Sequence, residues 1–226
     1  MKAKTGKANS VSLDVVKQEK VPVEESFSKI YILQSEQKSC ISNCISNLDN
    51  FDKKISSPLQ TYTPNLFIEF FLFLFAKSFN TITVILYLVF LLFFSFFYLK
   101  NIYIFLTVFI HVIIGVFITV ILKKIIGRER PTLTVKRYFS GVRKRETMES
   151  MPSGDSLQAA NFSMMILMYF DNKFKFFSLC FIPMSMIGRV FYCCHYWFDC
   201  FIGAFIGIFL SYGCYFLINK FNINKF

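Results

Sequence analysis

The sequence predicts an all-α, polytopic membrane helical bundle of five or six spans behind a disordered N-terminal tail. Three observations lead there. Hydrophobic residues make up 54% of the chain, with 31 phenylalanines among 226 residues, and the mean hydropathy is +0.49, a balance that suits hydrocarbon as the solvent for much of the surface. Two runs, Phe79 to Leu99 and Ile102 to Leu122, each give about 21 nearly uncharged positions, enough at ~1.5 Å per residue to cross a ~30 Å hydrocarbon layer. Residues Met1 to Tyr62 are instead rich in Ser, Lys, Glu and Asn and have no sustained apolar period, so they are expected to be mostly disordered.

Taken in order, the tail has no apolar run resembling a signal peptide, and its Lys2, Lys4 and Lys7 read as solvated. Leu66 to Ala76 (LFIEFFLFLFA) is apolar but short and carries Glu69. It reads as an interfacial or partly inserted helix, with a sixth, tilted span as the alternative. The two long runs follow as spans. Beyond a basic stretch come Ser153 to Tyr169, Phe174 to Tyr192 and Phe198 to Ile218, each bounded by charge or by Asn. The expected organisation is therefore a tail over 1–62, a membrane-embedded domain over 64–218 and a short polar C-terminal tail over 219–226. His111, in the middle of a span, is expected to be packed, neutral and hydrogen-bonded to another helix.

The formal net charge of +11 is unevenly placed, with nine Lys or Arg against three acidic residues between Lys123 and Ser150. A loop tethered at both ends to spans has little room for a nucleic-acid-binding fold, so no nucleic-acid partner is expected; membrane lipids and substrate phosphate are. The positive-inside rule would put this loop in the cytoplasm. Seven Cys form an odd set without metal-like spacing, and Cys40 and Cys44 lack a second pair, so no metal site is expected.

Three clusters in the second half carry chemistry: KKIIGRERP (Lys123 to Pro131), PSGD (Pro152 to Asp155) and RVFYCCHYWFD (Arg189 to Asp199). Each stands at the end of an apolar segment, where an ionisable group in or near hydrocarbon is a functional hypothesis by default. Lys123 supplies a point charge and Arg130 a planar fork for two phosphate oxygens, although each alone also reads as an interfacial anchor. Pro152 suits the first position of a helix, and Ser153 and Gly154 would offer backbone N–H groups at its positive end. A plain capped helix start is the competing reading there. His195 and Asp199 are four residues apart, on one helix face, so the carboxylate can orient one imidazole nitrogen and leave the other as nucleophile or base. Arg189, six residues before His195, adds a donor for phosphate oxygens. Charge gathered at span ends rather than along a midplane path argues against a transporter or channel.

The order K-x6-R-P, P-S-G-x and R-x5-H-x3-D resembles the three-part signature of the type 2 phosphatidic acid phosphatase superfamily, which includes lipid phosphate phosphatases and polyprenyl diphosphatases. The resemblance covers roughly residues 64 to 218. It implies a six-helix membrane core and a metal-independent hydrolase without cofactor, acting on a lipid phosphate or diphosphate. His195 would attack phosphorus to form a phosphohistidine and Asp199 would orient it. Lys123, Arg130, Ser153, the Gly154 amide and Arg189 would hold the phosphoryl oxygens. The resemblance also implies a site on the lumenal or extracytoplasmic face, opposite to the loop charge, and the expected location is the endoplasmic reticulum or another endomembrane.

Two positions depart from the family's pattern. Gly188 stands where the family usually has Ser. Asp155 stands where it has the His that protonates the leaving group, and an ordinary Asp with pKa ~3.9 is a poor acid at pH 7. A diphosphate expels a phosphate whose second pKa is ~6 and needs such an acid less than a monoester does. A diphosphate substrate is therefore the favoured expectation, with Asp155 positioning water. A catalytically impaired lipid-binding relative and a sphingolipid-type phosphotransferase stay open as alternatives.

Overall fold

The computed structural model describes residues 46–99, 102–133, 135–142, 148–169 and 173–220. The fold below is the compact unit from Leu48 onward; Met1–Asn47 is a separate unit. Among the described residues all regular structure is helical, with one isolated bridge between Glu129 and Glu149. The helices are α1, described over residues 46–61, then α2 (Leu66–Lys77), α3 (Thr81–Phe94, ending in a π turn Ser95–Leu99), α4 (Ile102–Ile126), α5 (Gly154–Tyr169), α6 (Phe181–Phe191) and α7 (Trp197–Lys220).

The first helix corrects the expected tail. Disorder was expected through residue 62, yet 46–61 is helix, with Asp52, Ser56 and Gln60 buried. These three recur every fourth residue, so one face of α1 is a polar row turned inward. Residues 1–45 of the expected tail, Arg143 to Arg145 of the basic loop and 221–226 of the expected C-terminal tail lie outside the described residues.

Asn caps separate the next two helices. The Asn65 side chain accepts from the Ile68 N–H at 2.9 Å, and Asn80 from the Thr83 N–H at 3.0 Å, each satisfying an orphan donor at a helix start. The two helices meet at a 66° bend. Glu69 is buried on α2, where it accepts the Phe139 N–H at 3.1 Å.

Among the described residues two helices are long and apolar enough to cross a membrane, Phe105–Ile126 and Trp197–Leu217, and the bent pair α2 and α3 makes a third if it counts as one span. The expected five or six is thus larger than length and composition support. α5 has 16 residues, about 24 Å, and buries Gln158, Asn161, Ser156 and Ser163. The expected span Phe174–Tyr192 divides into a 3-10 helix, Lys173–Cys180, and the 11-residue α6, because Pro183 in the first turn of α6 has no N–H to extend an α-helix backward. Large apolar side chains stay exposed along α3 and α4, among them Ile85, Phe90, Phe93, Ile113 and Phe117, as suits a surface facing lipid.

α5 is the central helix, buried along Leu157, Ala159 and Ala160. α7 packs against it through Gly203 and Gly207: a Cβ on the first would collide with the Ser153 carbonyl and on the second with the Leu157 carbonyl. This small-xxx-small spacing lets two backbones approach closely. His111 is buried on α4, but its Nδ1 meets the Thr107 carbonyl of its own helix at 2.6 Å. That bond is intrahelical, while the backbone of Ser211 on α7 faces the ring from the neighbouring helix.

Candidate active site

The turn that carries His195 is built by the end of α6. Cys193 has φ 53°; its N–H bonds the Val190 carbonyl at 3.0 Å and the Cys194 N–H bonds the Arg189 carbonyl at 3.0 Å. These are the two bonds of a Schellman cap, with a cysteine in the left-handed position that glycine usually takes. The chain reverses there and starts α7 two residues after His195, so Asp199 falls in the first turn. Its Oδ2 accepts the Tyr196 N–H at 2.9 Å, the backward half of a capping box.

Around this turn the structure gathers the sequence-predicted residues. His195 is 1% exposed, and its Nδ1 lies 3.8 Å from Asp199 Oδ2, ion-pair range and longer than a hydrogen bond. Arg189, also buried, pairs its Nη1 with Asp155 Oδ2 at 2.9 Å. Arg130 Nη1 donates to the Cys194 carbonyl at 2.6 Å, and Lys123 Nζ to the Glu149 carbonyl at 2.8 Å. Ser153 is buried as the N-cap of α5, its Oγ accepting the Ser156 N–H at 3.4 Å. Its own N–H is used on the Asp199 carbonyl at 2.9 Å and is not available to an anion. Pro152 precedes this cap instead of occupying the first helical position, since α5 starts at Gly154.

Lys123, Gly154, Asp155 and His195 line one cavity of about 600 Å³. Most of its remaining wall is apolar, from α3 (Val84, Leu88, Leu92) and α4 (Phe105, Val112, Val116), with Thr81, Thr119 and Gln158 as its other polar members. A polar head end and an apolar length along two helices form the kind of cleft that takes an amphiphile. Burial, with the Arg189 and Arg130 guanidiniums nearby, pushes the His195 imidazole down to about 4 against the pull of Asp199. The ring is thereby held neutral at pH 7, with a lone pair on one of its nitrogens.

The sequence profile of the PAP2 superfamily matches residues 104–223. The chain belongs to the PAP2 superfamily. Two solved structures share the fold of this PAP2 chain: LpxE of Aquifex aeolicus, with a TM-score of 0.56, 17% identity, and coverage of 71% of this chain and 92% of that one; and a transmembrane PAP2 type phosphatidylglycerolphosphate phosphatase from Bacillus subtilis, with a TM-score of 0.65, 18% identity, and coverage of 80% and 88%. No curated protein matches the sequence.

The structure also supplies what sequence reasoning missed. Gly188 is not only a lost serine hydroxyl: a Cβ there would lie 2.5 Å from the Ala76 nitrogen and 2.8 Å from its Cα. The glycine lets α6 lie against the backbone of α2. Arg128, passed over inside the first cluster, donates Nη1 to Asp199 Oδ1 at 2.5 Å and to Asp52 Oδ2 at 2.8 Å. Arg137 donates to the Tyr62, Gln60 and Phe191 carbonyls and stacks 3.8 Å over the Phe191 ring. That cation is structural, although its loop was read as a phosphate or headgroup attractor. The Gly203 and Gly207 pair was visible as G-x-x-x-G; Arg128 and Arg137 had no comparable signal.

Proposed function

We propose that the protein is a metal-independent lipid phosphohydrolase that acts through a phosphohistidine on His195 and favours diphosphates. The observation that carries this reading is the position of His195, buried at the polar end of the apolar cavity between α3 and α4. The lipid tail would lie along Leu88, Leu92 and Val116, with the phosphoryl group among Lys123, the Gly154 amide, Arg130 and Arg189. The short helices α5 and α6 would complete the bundle within the bilayer.

With the proton on Nδ1 facing Asp199, the lone pair of the other ring nitrogen attacks phosphorus. The bond from phosphorus to the leaving oxygen breaks and its electron pair goes with the leaving group. Cations around the phosphoryl oxygens stabilise the charge spread over them in the transition state. Water, positioned by Asp155, then attacks the phosphorus, releases inorganic phosphate and returns the neutral imidazole. Asp155 is bound to Arg189 as a carboxylate, so it is a weak proton donor, which favours a leaving group that is itself a phosphate.

The same ion pair favours a second reading, a catalytically impaired relative that binds lipid, because Arg189 must open from Asp155 to receive a phosphoryl group. Phosphate release from polyprenyl diphosphate and from phosphatidate, measured with EDTA beside His195→Ala, separates the two. Release that the mutation abolishes, faster from the diphosphate, is expected. No release by folded protein overturns the hydrolase, and equal rates from both lipids overturn the preference.

A further inference from the structure

The first turn of α7 has its backbone donors satisfied by another helix. The Phe198 N–H goes to Asp52 Oδ1 at 3.1 Å and the Trp197 N–H to Ser56 Oγ at 3.1 Å, while Gln60 Nε2 reaches the His195 carbonyl at 3.5 Å. The inward polar row of α1 thus caps the helix that carries Asp199. Arg128 joins the two helices. One nitrogen, Nη1, serves both Asp52 and Asp199, while Nη2 and Nε hold Asp49 Oδ1 at 2.6 and 3.0 Å. The guanidinium stacks 4.4 Å over the Tyr196 ring. Asp52 and Asp199 are both 0% exposed, so a single cation bridges two buried carboxylates.

We propose that Arg128 is the positioning residue of the His195–Asp199 pair and that Asp52, on a helix outside the segment matched by the family profile, holds Arg128 in place. Arg128 does not line the cavity and acts through Asp199: it fixes Oδ1, which leaves Oδ2 turned to the imidazole. Arg128 faces both carboxylates, which also face each other; His195, the Tyr196 N–H and Cys200 lie against Asp199, Asp49 with its partner Lys53 lies against Arg128, and Arg130 and Arg189 lie near His195. The inference rests on the hydrolase reading for its kinetic test only.

The charge count provides that test. In Arg128→Gln the two buried carboxylates face each other without their cation and must take up a proton between them. Full-chain protein in detergent should lose about a hundredfold in kcat, with KM little changed and the acid limb of kcat moved up by about one pH unit or more. Adding Asp52→Asn removes one of the two charges, so the double variant should recover part of kcat and return the limb toward its original place. A purely structural role predicts a double variant worse than either single and no movement of the limb, and that result would overturn the proposal. Wild type and His195→Ala in the same assay report separately on the hydrolase reading. If wild type is inactive, melting temperatures still decide: a double variant more stable than Arg128→Gln supports the proposal, and one less stable than both singles refutes it.

Discussion

Restoring the family's usual serine at position 188 should damage the protein rather than improve it. A Cβ on Gly188 would lie 2.5 Å from the Ala76 nitrogen, 2.8 Å from its Cα and 3.0 Å from the Phe75 carbonyl carbon. All three are backbone atoms, so no side chain can rotate away and α6 must separate from α2 by several tenths of an ångström. A gap of that size forfeits a quarter to a half of each dispersion contact along the seam, where Leu72, Ala76, Phe191 and Tyr192 form a buried cluster. Overpacking of this kind costs about 1–3 kcal/mol. Serine's better helix propensity returns only ~0.5 kcal/mol. Thermal unfolding in detergent should therefore place Gly188→Ser and Gly188→Ala below wild type by similar amounts, since the Cβ and not the hydroxyl is at fault. A serine variant as stable as wild type with higher phosphate release would refute this reasoning.

Three further outcomes follow from the site. His195 is held neutral down to about pH 4 in the fold, whereas an unfolded His takes its proton near pH 6.5; the unfolded state therefore binds more protons between these values, and this residue's contribution to stability falls by about 3 kcal/mol as pH drops through that window. Unfolding curves of wild type and His195→Gln at pH 7 and pH 4.5 should converge on acidification, and parallel curves would contradict the shift. Asp155→His supplies a proton donor and releases Arg189, so the ratio of phosphatidate to diphosphate turnover should rise about tenfold or more; an unchanged ratio would remove Asp155 from leaving-group selection. Gly203→Leu should drive α7 from the Ser153 carbonyl and abolish activity, whereas Gly213→Leu, where a Cβ meets nothing within 4 Å, should leave it near wild type in the same phosphate-release assay.

The apolar helices and the His195–Asp199 pair were legible because both depend on local sequence. Long apolar runs mark α4 and α7, and His195 with Asp199 shows as an i, i+4 pair at a span end. The rest depends on surroundings. α1 was read as disorder because hydropathy treats Asp52, Ser56 and Gln60 as solvent-facing, whereas their buried side chains satisfy the start of α7 and Arg128. The row at every fourth residue was the available signal, but a polar stripe does not say that it faces inward. α5 and α6 were read as spans because both are apolar on average. α5 also carries a buried polar ladder, Asn161 to Gln158 and Ser211 to Asn161, whose partner on α7 shows only in the fold. The use of Gly188 for packing lies in the backbone of α2, more than a hundred residues away in sequence and adjacent only in the fold.

The most direct test of the central claim is to trap the intermediate. Full-chain protein mixed with polyprenyl diphosphate labelled in its terminal phosphate, then quenched in alkali, should retain label on the peptide that contains His195. That label should be lost in acid, as expected of a phosphorus–nitrogen bond, and be absent in His195→Ala. Phosphate release at full rate from His195→Ala, or label trapped on another residue, would contradict the account.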